Sequence, residues 1–136
     1  MAGILIQVDG SSLDNPGHAG IGVRVSDSSG GTLREVSRYI GVRTNNQAEY
    51  EAMLCGLEQA RDWPDRQVVV RTDSELVYRQ LRGEYKVKNR QLKPLHARAR
   101  AMLENLPNVT IRHAPREENR EADKLARDAA ASGAAK

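Results

Sequence analysis

Val68-Val69-Val70 is an unbroken run of β-branched residues, and it narrows what this chain can become more than any other feature. Strand formers without polar alternation suit a strand covered on both faces, as in parallel pairing. A parallel neighbour requires a crossover connection, usually a helix. Helical spacing lies directly upstream, where Ala48, Ala52, Cys55, Gly56 and Ala60 set small side chains at close-packing intervals and Met53, Leu54 and Leu57 widen the apolar surface. The pattern predicts a helix that starts after Thr44, packs on more than one side, and stops near Trp63-Pro64, where proline disfavours helical geometry in the residue before it.

The remaining elements follow from periodicity and turn chemistry. Residues 3–9 read as a buried strand (Ile4, Leu5, Ile6, Val8) followed by a turn-prone Asp9-Gly10-Ser11-Ser12. Strands are predicted over 19–26 and 32–42, separated by the hairpin-forming Asp27-Ser28-Ser29-Gly30-Gly31. A short helix over 74–81, a helix over 90–106 and a strand over 108–113 come next. The last helix starts near Glu118, with Ala122, Leu125, Ala126 and Ala129 on one face. This order implies an α/β fold: a five-stranded mixed sheet, three antiparallel strands and then parallel ones, with helices on both faces. One domain over residues 1–130 is expected, with 131–136 as a frayed tail.

Composition excludes several classes. With 136 residues, 39% hydrophobic and 29% charged, the chain suits one soluble domain. Its longest apolar run near the N-terminus, Ile4-Leu5-Ile6, is broken by Gln7, too short for an anchor or signal segment, so a cytoplasmic protein without membrane contact is expected. Cys55 is the sole cysteine, which suits a reducing compartment. A net charge of +3 permits a polyanionic partner. Between Arg79 and Lys93 the bases Arg79, Arg82, Lys86, Lys88, Arg90 and Lys93 face one acid, Glu84. That segment reads as a phosphate-facing patch, although a solvated helix face would carry the same charges.

Four acids invite a chemical reading. Asp9 and Asp73 each end a buried strand; if those strands are neighbours, both side chains emerge at one rim of the sheet, where α/β folds bind ligands. Each acid also has a bland explanation. Asp9-Gly10 is a turn signal, Thr72, Asp73 or Ser74 could cap a helix with Glu75 completing a capping box, and Glu49 suits a helix N-terminus where Thr44/Gln47 or Asn46/Glu49 has the box spacing. Asp123 could simply be solvated. Taken together, these oxygen donors are what hard divalent cations require, and no Cys or His cluster competes.

The sequence resembles the type 1 ribonuclease H family along nearly its whole length. The resemblance rests on Val8-Asp9-Gly10-Ser11, Thr44-Asn45-Asn46-Gln47-Ala48-Glu49, Thr72-Asp73-Ser74, and His113 placed ten residues before Asp123 with Asn119 between. It implies a ribonuclease H-like fold and an endonuclease that hydrolyses the RNA strand of RNA/DNA hybrids, leaving 3′-hydroxyl and 5′-phosphate ends. By the same resemblance Asp9, Glu49, Asp73 and Asp123 hold two Mg2+ ions, with Mn2+ as a substitute, and His113 is a flexible-loop histidine assisting proton transfer or product release. The amides of Gly10, Ser11 and Ser12 with Asn15, Asn45, Asn46, Ser74 and Asn119 are implied to contact substrate, and Thr44 with Asn89 to grip a DNA-strand phosphate. The basic, tryptophan-bearing insertion found in many bacterial members is absent, as in the handle-less branch, which leaves Lys86 and Lys88 as hybrid-binding candidates. A monomer without an obligate protein partner is expected. A hybrid-binding module that no longer cleaves, and a nuclease for double-stranded RNA, are the rival readings.

Overall fold

The computed structural model describes residues 3–135. Strands β1 (Ile4–Ser12), β2 (Gly17–Asp27) and β3 (Thr32–Arg43) form an antiparallel meander, and β4 (Val68–Thr72) and β5 (Val109–His113) extend it in parallel to give the order β3-β2-β1-β4-β5. Between them lie α1 (Asn45–Ala60), α2 (Glu75–Leu81) and α3 (Lys93–Glu104), and α4 (Arg120–Ala134) closes the chain. The expected mixed sheet with helices on both faces is present. β1 is central, antiparallel to β2 and parallel to β4 in the register Ile4↔Val68 to Val8↔Thr72.

Alternation along β1 sorts the two faces. Ile4, Ile6 and Val8 join Val23, Val25, Val68 and Val70 in the core, to which α1 contributes Tyr50, Met53 and Leu57. α4 covers the other face, mainly over β2. Gly20 and Gly22 make that approach close: a Cβ on Gly22 would stand 2.2 Å from the Ala122 carbonyl oxygen, and one on Gly20 2.5 Å from that of Ala126. α4 answers with a buried stripe of Ala122, Ala126, Ala129 and Ala130.

Several expectations are corrected. Residues 9–12 are not a turn; β1 continues to Ser12 because β2 keeps pairing with it through Ser12↔Ala19, and a regular ladder outweighs local turn preference. Val69 is not fully covered: it is half-buried and lines a cleft of about 440 Å³ with Leu5 and Arg71, because α4 does not extend over β4. α3 starts at Lys93 rather than residue 90, since the Asn89 carbonyl oxygen of the side chain accepts from the Gln91 and Leu92 amides and holds a turn there. The C-terminal segment is helical to Ala134, not frayed from 131, with Ala130 fully buried and Gly133 against the Tyr39 ring. Lys136 lies outside the described residues.

Candidate active site

β1 and β4 place Asp9 and Asp73 side by side. Their in-register pairing ends at Val8↔Thr72, so the residue that follows in each segment, Asp9 on β1 and Asp73 just past β4, is an aspartate at one rim. Glu49, in the first turns of α1, reaches the same point, accepting a 2.7 Å hydrogen bond from the Gly10 amide. Only glycine permits this: a Cβ on residue 10 would lie 2.2 Å from the Ala48 carbonyl. One carboxylate oxygen each from Asp9, Glu49 and Asp73 lies within 4.8 Å of the others. Asp123, in the first turn of α4, stands near enough to help raise the Asp9 carboxyl but lies outside that group of three.

The bland explanations fall away one by one. Thr44 and Gln47 form the capping box of α1, leaving Glu49 free of capping. Ser74 caps α2 by accepting from the Val77 amide, and Thr72 accepts from the Ser74 amide, so Asp73 caps nothing. The Asp123 side chain is 16% exposed and paired with Arg127 at 2.9 Å, not solvated.

Concentrated negative charge defines the electrostatics. Asp9 is 4% exposed, and burial, then the charges of Glu49 and Asp73, hold its carboxyl far above the ordinary carboxylate range. Glu49 is raised by burial and by Asp73, against the opposing hydrogen bond from Gly10. Among the described residues no ion pair reaches Asp9 or Glu49; Arg116 stands 3.8 Å from Asp73 and is 80% exposed, and Arg127, which pairs with Asp123, is also largely exposed. Hard oxygen donors that converge without a buried counter-charge fit a divalent cation such as Mg2+.

A pH dependence follows. For a carboxyl raised in the folded state, the native protein binds more protons than the unfolded chain above about pH 4, so stability falls as pH rises through neutrality. Melting in chelator should therefore drop by several degrees between about pH 5 and 9, and Mg2+ should restore more of it at the higher pH. A Mg2+-induced gain that is the same at both pH values would contradict the raised carboxyls.

Other predicted residues are placed differently. Asn45 accepts from the Ser12 amide and Asn15 accepts from the Asn45 amide, forming a clip between the β1–β2 turn and α1. The Gly10 and Ser12 amides thus donate within the protein, to Glu49 and Asn45, while Asn46 is exposed. Ser11 stays in the β1–β2 ladder opposite Gly20. Ser74 and Asn89 use their side-chain oxygens as local caps. His113 is not on a loop: it is the last residue of β5, opposite Thr72, with its ring tilted against Tyr78 at 5.7 Å. Asn119 is fully buried and out of reach of any substrate, because its side chain turns inward to β1. In the basic patch Arg79 pairs with Glu75 and Glu84 and Arg82 with Glu84, whereas Lys86 and Lys88 make no ion pair among the described residues.

Residues not singled out from sequence also shape the site. Gln7, 4% exposed, donates to the Glu118 carbonyl at 3.1 Å, tying β1 to the turn before α4. Its position on the Leu5-Gln7-Asp9 face was the available signal. Arg127 stands four residues after Asp123, the helical spacing for such a pair.

A sheet of order β3-β2-β1-β4-β5, with clustered carboxylates where β1 and β4 part, defines a ribonuclease H-like protein. A family model described as reverse transcriptase-like matches residues 7–129. Ribonuclease HI of Halobacterium salinarum is 40% identical over 121 residues, covering 89% of this chain and 61% of that protein. The bifunctional protein Rv2228c of Mycobacterium tuberculosis is 38% identical over 93% of this chain and 35% of its own length. The chain thus spans under two thirds of these curated relatives. The structure of LC11-RNase H1, isolated from compost by a metagenomic approach, superposes with a TM-score of 0.90 at 45% identity, covering 98% of this chain and 99% of that one. The chain belongs to the type 1 ribonuclease H family.

Proposed function

We propose that this chain is an endoribonuclease that hydrolyses the RNA strand of RNA/DNA hybrids with two Mg2+ ions, Mn2+ substituting, and leaves 3′-hydroxyl and 5′-phosphate ends. The observation that carries this reading is the convergence of Asp9, Glu49 and Asp73 within 4.8 Å without a buried counter-cation. LC11-RNase H1, 44% identical, has been solved in complex with an RNA/DNA hybrid, which supports the choice of substrate. When bound, the ions supply Lewis acidity and an activated water. Asp9 and Asp73 hold them at the sheet rim, Glu49 from α1 and Asp123 from α4 close the donor set, and Gly10 fixes Glu49 through its amide. Asn46 and the free amide nitrogens of Asn15 and Asn45 meet the minor groove, where the 2′-hydroxyl distinguishes RNA from DNA.

The test is one gel of labelled RNA/DNA hybrid, double-stranded RNA and double-stranded DNA with Mg2+, Mn2+ or chelator. Only the RNA strand of the hybrid should be cut, and only with metal. No cleavage in any lane would favour a non-cleaving binder, and cleavage of double-stranded RNA alone would reassign the substrate.

Lys86 and Lys88 sit in the irregular segment between α2 and α3 without acidic partners among the described residues, so they are left to contact phosphate. Lys86→Ala with Lys88→Ala should weaken hybrid binding and flatten the slope of log affinity against log salt by roughly 2. Turnover at saturating hybrid should be unchanged; an unaltered slope would remove these lysines from the interface.

A further inference from the structure

We infer that Asn119 is a positioning residue that sets the separation between Asp9 and Asp123, and through it the affinity of the carboxylate site for divalent ions. The inference rests on the metal-site reading above. Asn119 is fully exposure-free and precedes the first residue of α4, an N-cap position. Asparagine there ordinarily caps its own helix through the side-chain oxygen. Here the side chain makes no cap hydrogen bond. Its amide nitrogen instead crosses to the sheet and donates to the Val8 carbonyl at 2.8 Å. Val8 is the residue before Asp9 and the last on β1 to pair with β4. The backbone carbonyl of Asn119, in turn, accepts from the Asp123 amide at 3.1 Å. One residue therefore bonds the residue beside one carboxylate and the backbone of another.

Packing explains why such a tie is needed. The α4 contact with β2 is alanine on glycine, Ala122 and Ala126 over Gly22 and Gly20. Small side chains allow close approach but offer few ridges to resist sliding along the helix axis. A directional hydrogen bond sets that coordinate, and it does so at the end of α4 that bears Asp123. The Asn119 side-chain oxygen is buried without a hydrogen-bond partner among the described residues, a cost that the bond to Val8 has to offset. A cap or a core filler would not incur that cost.

The experiment compares the parent with Asn119→Ser, using Mn2+ alone as the probe. Serine remains a good N-cap but is too short to reach Val8, so folding stability should be largely kept while the Mn2+ dissociation constant, measured by calorimetry, rises about tenfold. Asn119→Ala should show the same loss of affinity with lower stability. Ser37→Ala is the control: it removes the hydroxyl that donates to the Leu125 carbonyl and so loosens α4 from β3, which bears none of the site's four carboxylates. Its Mn2+ affinity should stay within about twofold of the parent. The inference is overturned if folded Asn119→Ser binds Mn2+ as tightly as the parent, or if affinity falls equally in Ser37→Ala. A parent that binds no Mn2+ overturns both this inference and the metal-site reading, so the two failures are distinguishable.

Discussion

Asp9→Asn should reduce cleavage of the hybrid by at least about 10³-fold while raising the melting temperature of the metal-free protein. The first effect follows from removing the central donor: a metal ligand supplies several kcal/mol of transition-state stabilisation, and about 4 kcal/mol is a thousandfold in rate. The second follows from burial. Beside Glu49 and Asp73 and with no ion pair among the described residues, folded Asp9 must either take up a proton at neutral pH or hold its charge against theirs, and an isosteric neutral amide removes that cost. Opposite signs for activity and stability distinguish a functional acid from a structural one. Hybrid affinity, measured in chelator, should be largely kept, because the phosphate contacts lie elsewhere. Near-parental turnover of the purified variant would remove Asp9 from the mechanism, and a lower metal-free melting temperature would show that the cluster is not repulsive.

Gly22→Ala should cost about 3 kcal/mol and lower cleavage about 10²-fold. The added Cβ would meet the Ala122 carbonyl oxygen at 2.2 Å and the Ala126 amide nitrogen at 2.6 Å. Both are helix backbone atoms, so the strain cannot be relieved by a rotamer change, which places the cost at the upper end for overpacking. Relief comes from lifting α4, which carries Asp123 away from Asp9, and displacements of about 1 Å are enough for such a rate loss. Gly30→Ala is the contrast. Its φ of +87° strains any other residue, but nothing lies within 4 Å, so it should cost about 1 kcal/mol and leave cleavage unchanged. Denaturant unfolding of the two variants, with single-turnover cleavage, checks both; equal stabilities would show that α4 yields more easily than its backbone contact indicates.

Much of the fold was legible because periodicity reports burial directly. The valine run at 68–70 and the branched residues at 4–8 marked strands that do pair in parallel, and the small-residue spacing of 48–60 marked the helix between them. Turn chemistry was a poorer guide. Asp9-Gly10-Ser11-Ser12 has the composition of a turn, but its backbone groups continue a ladder with β2 that no local pattern announces. The end of α4 was missed for a related reason: alanine and glycine look like a loose tail until Tyr39, from a distant strand, is found packed on Gly133.

The candidate site divides in the same way. Residue types determined what could be done there: Asp9, Glu49, Asp73 and Asp123 are hard oxygen donors, and no amount of folding could have made them soft-metal ligands. Their order along the chain also carried the family resemblance. Only tertiary structure decided which of them cap helices, which share a point in space and which lose water, because those properties depend on distances between residues remote in the chain. The raised carboxyls of Asp9 and Glu49, the pairing of Arg79 and Arg82 with Glu84, and the inward turn of Asn119 all come from neighbours that the linear chain keeps far apart or leaves unspecified. Coulomb and desolvation energies act through space, so a string of residue names can supply the charges but not the separations that set their effect.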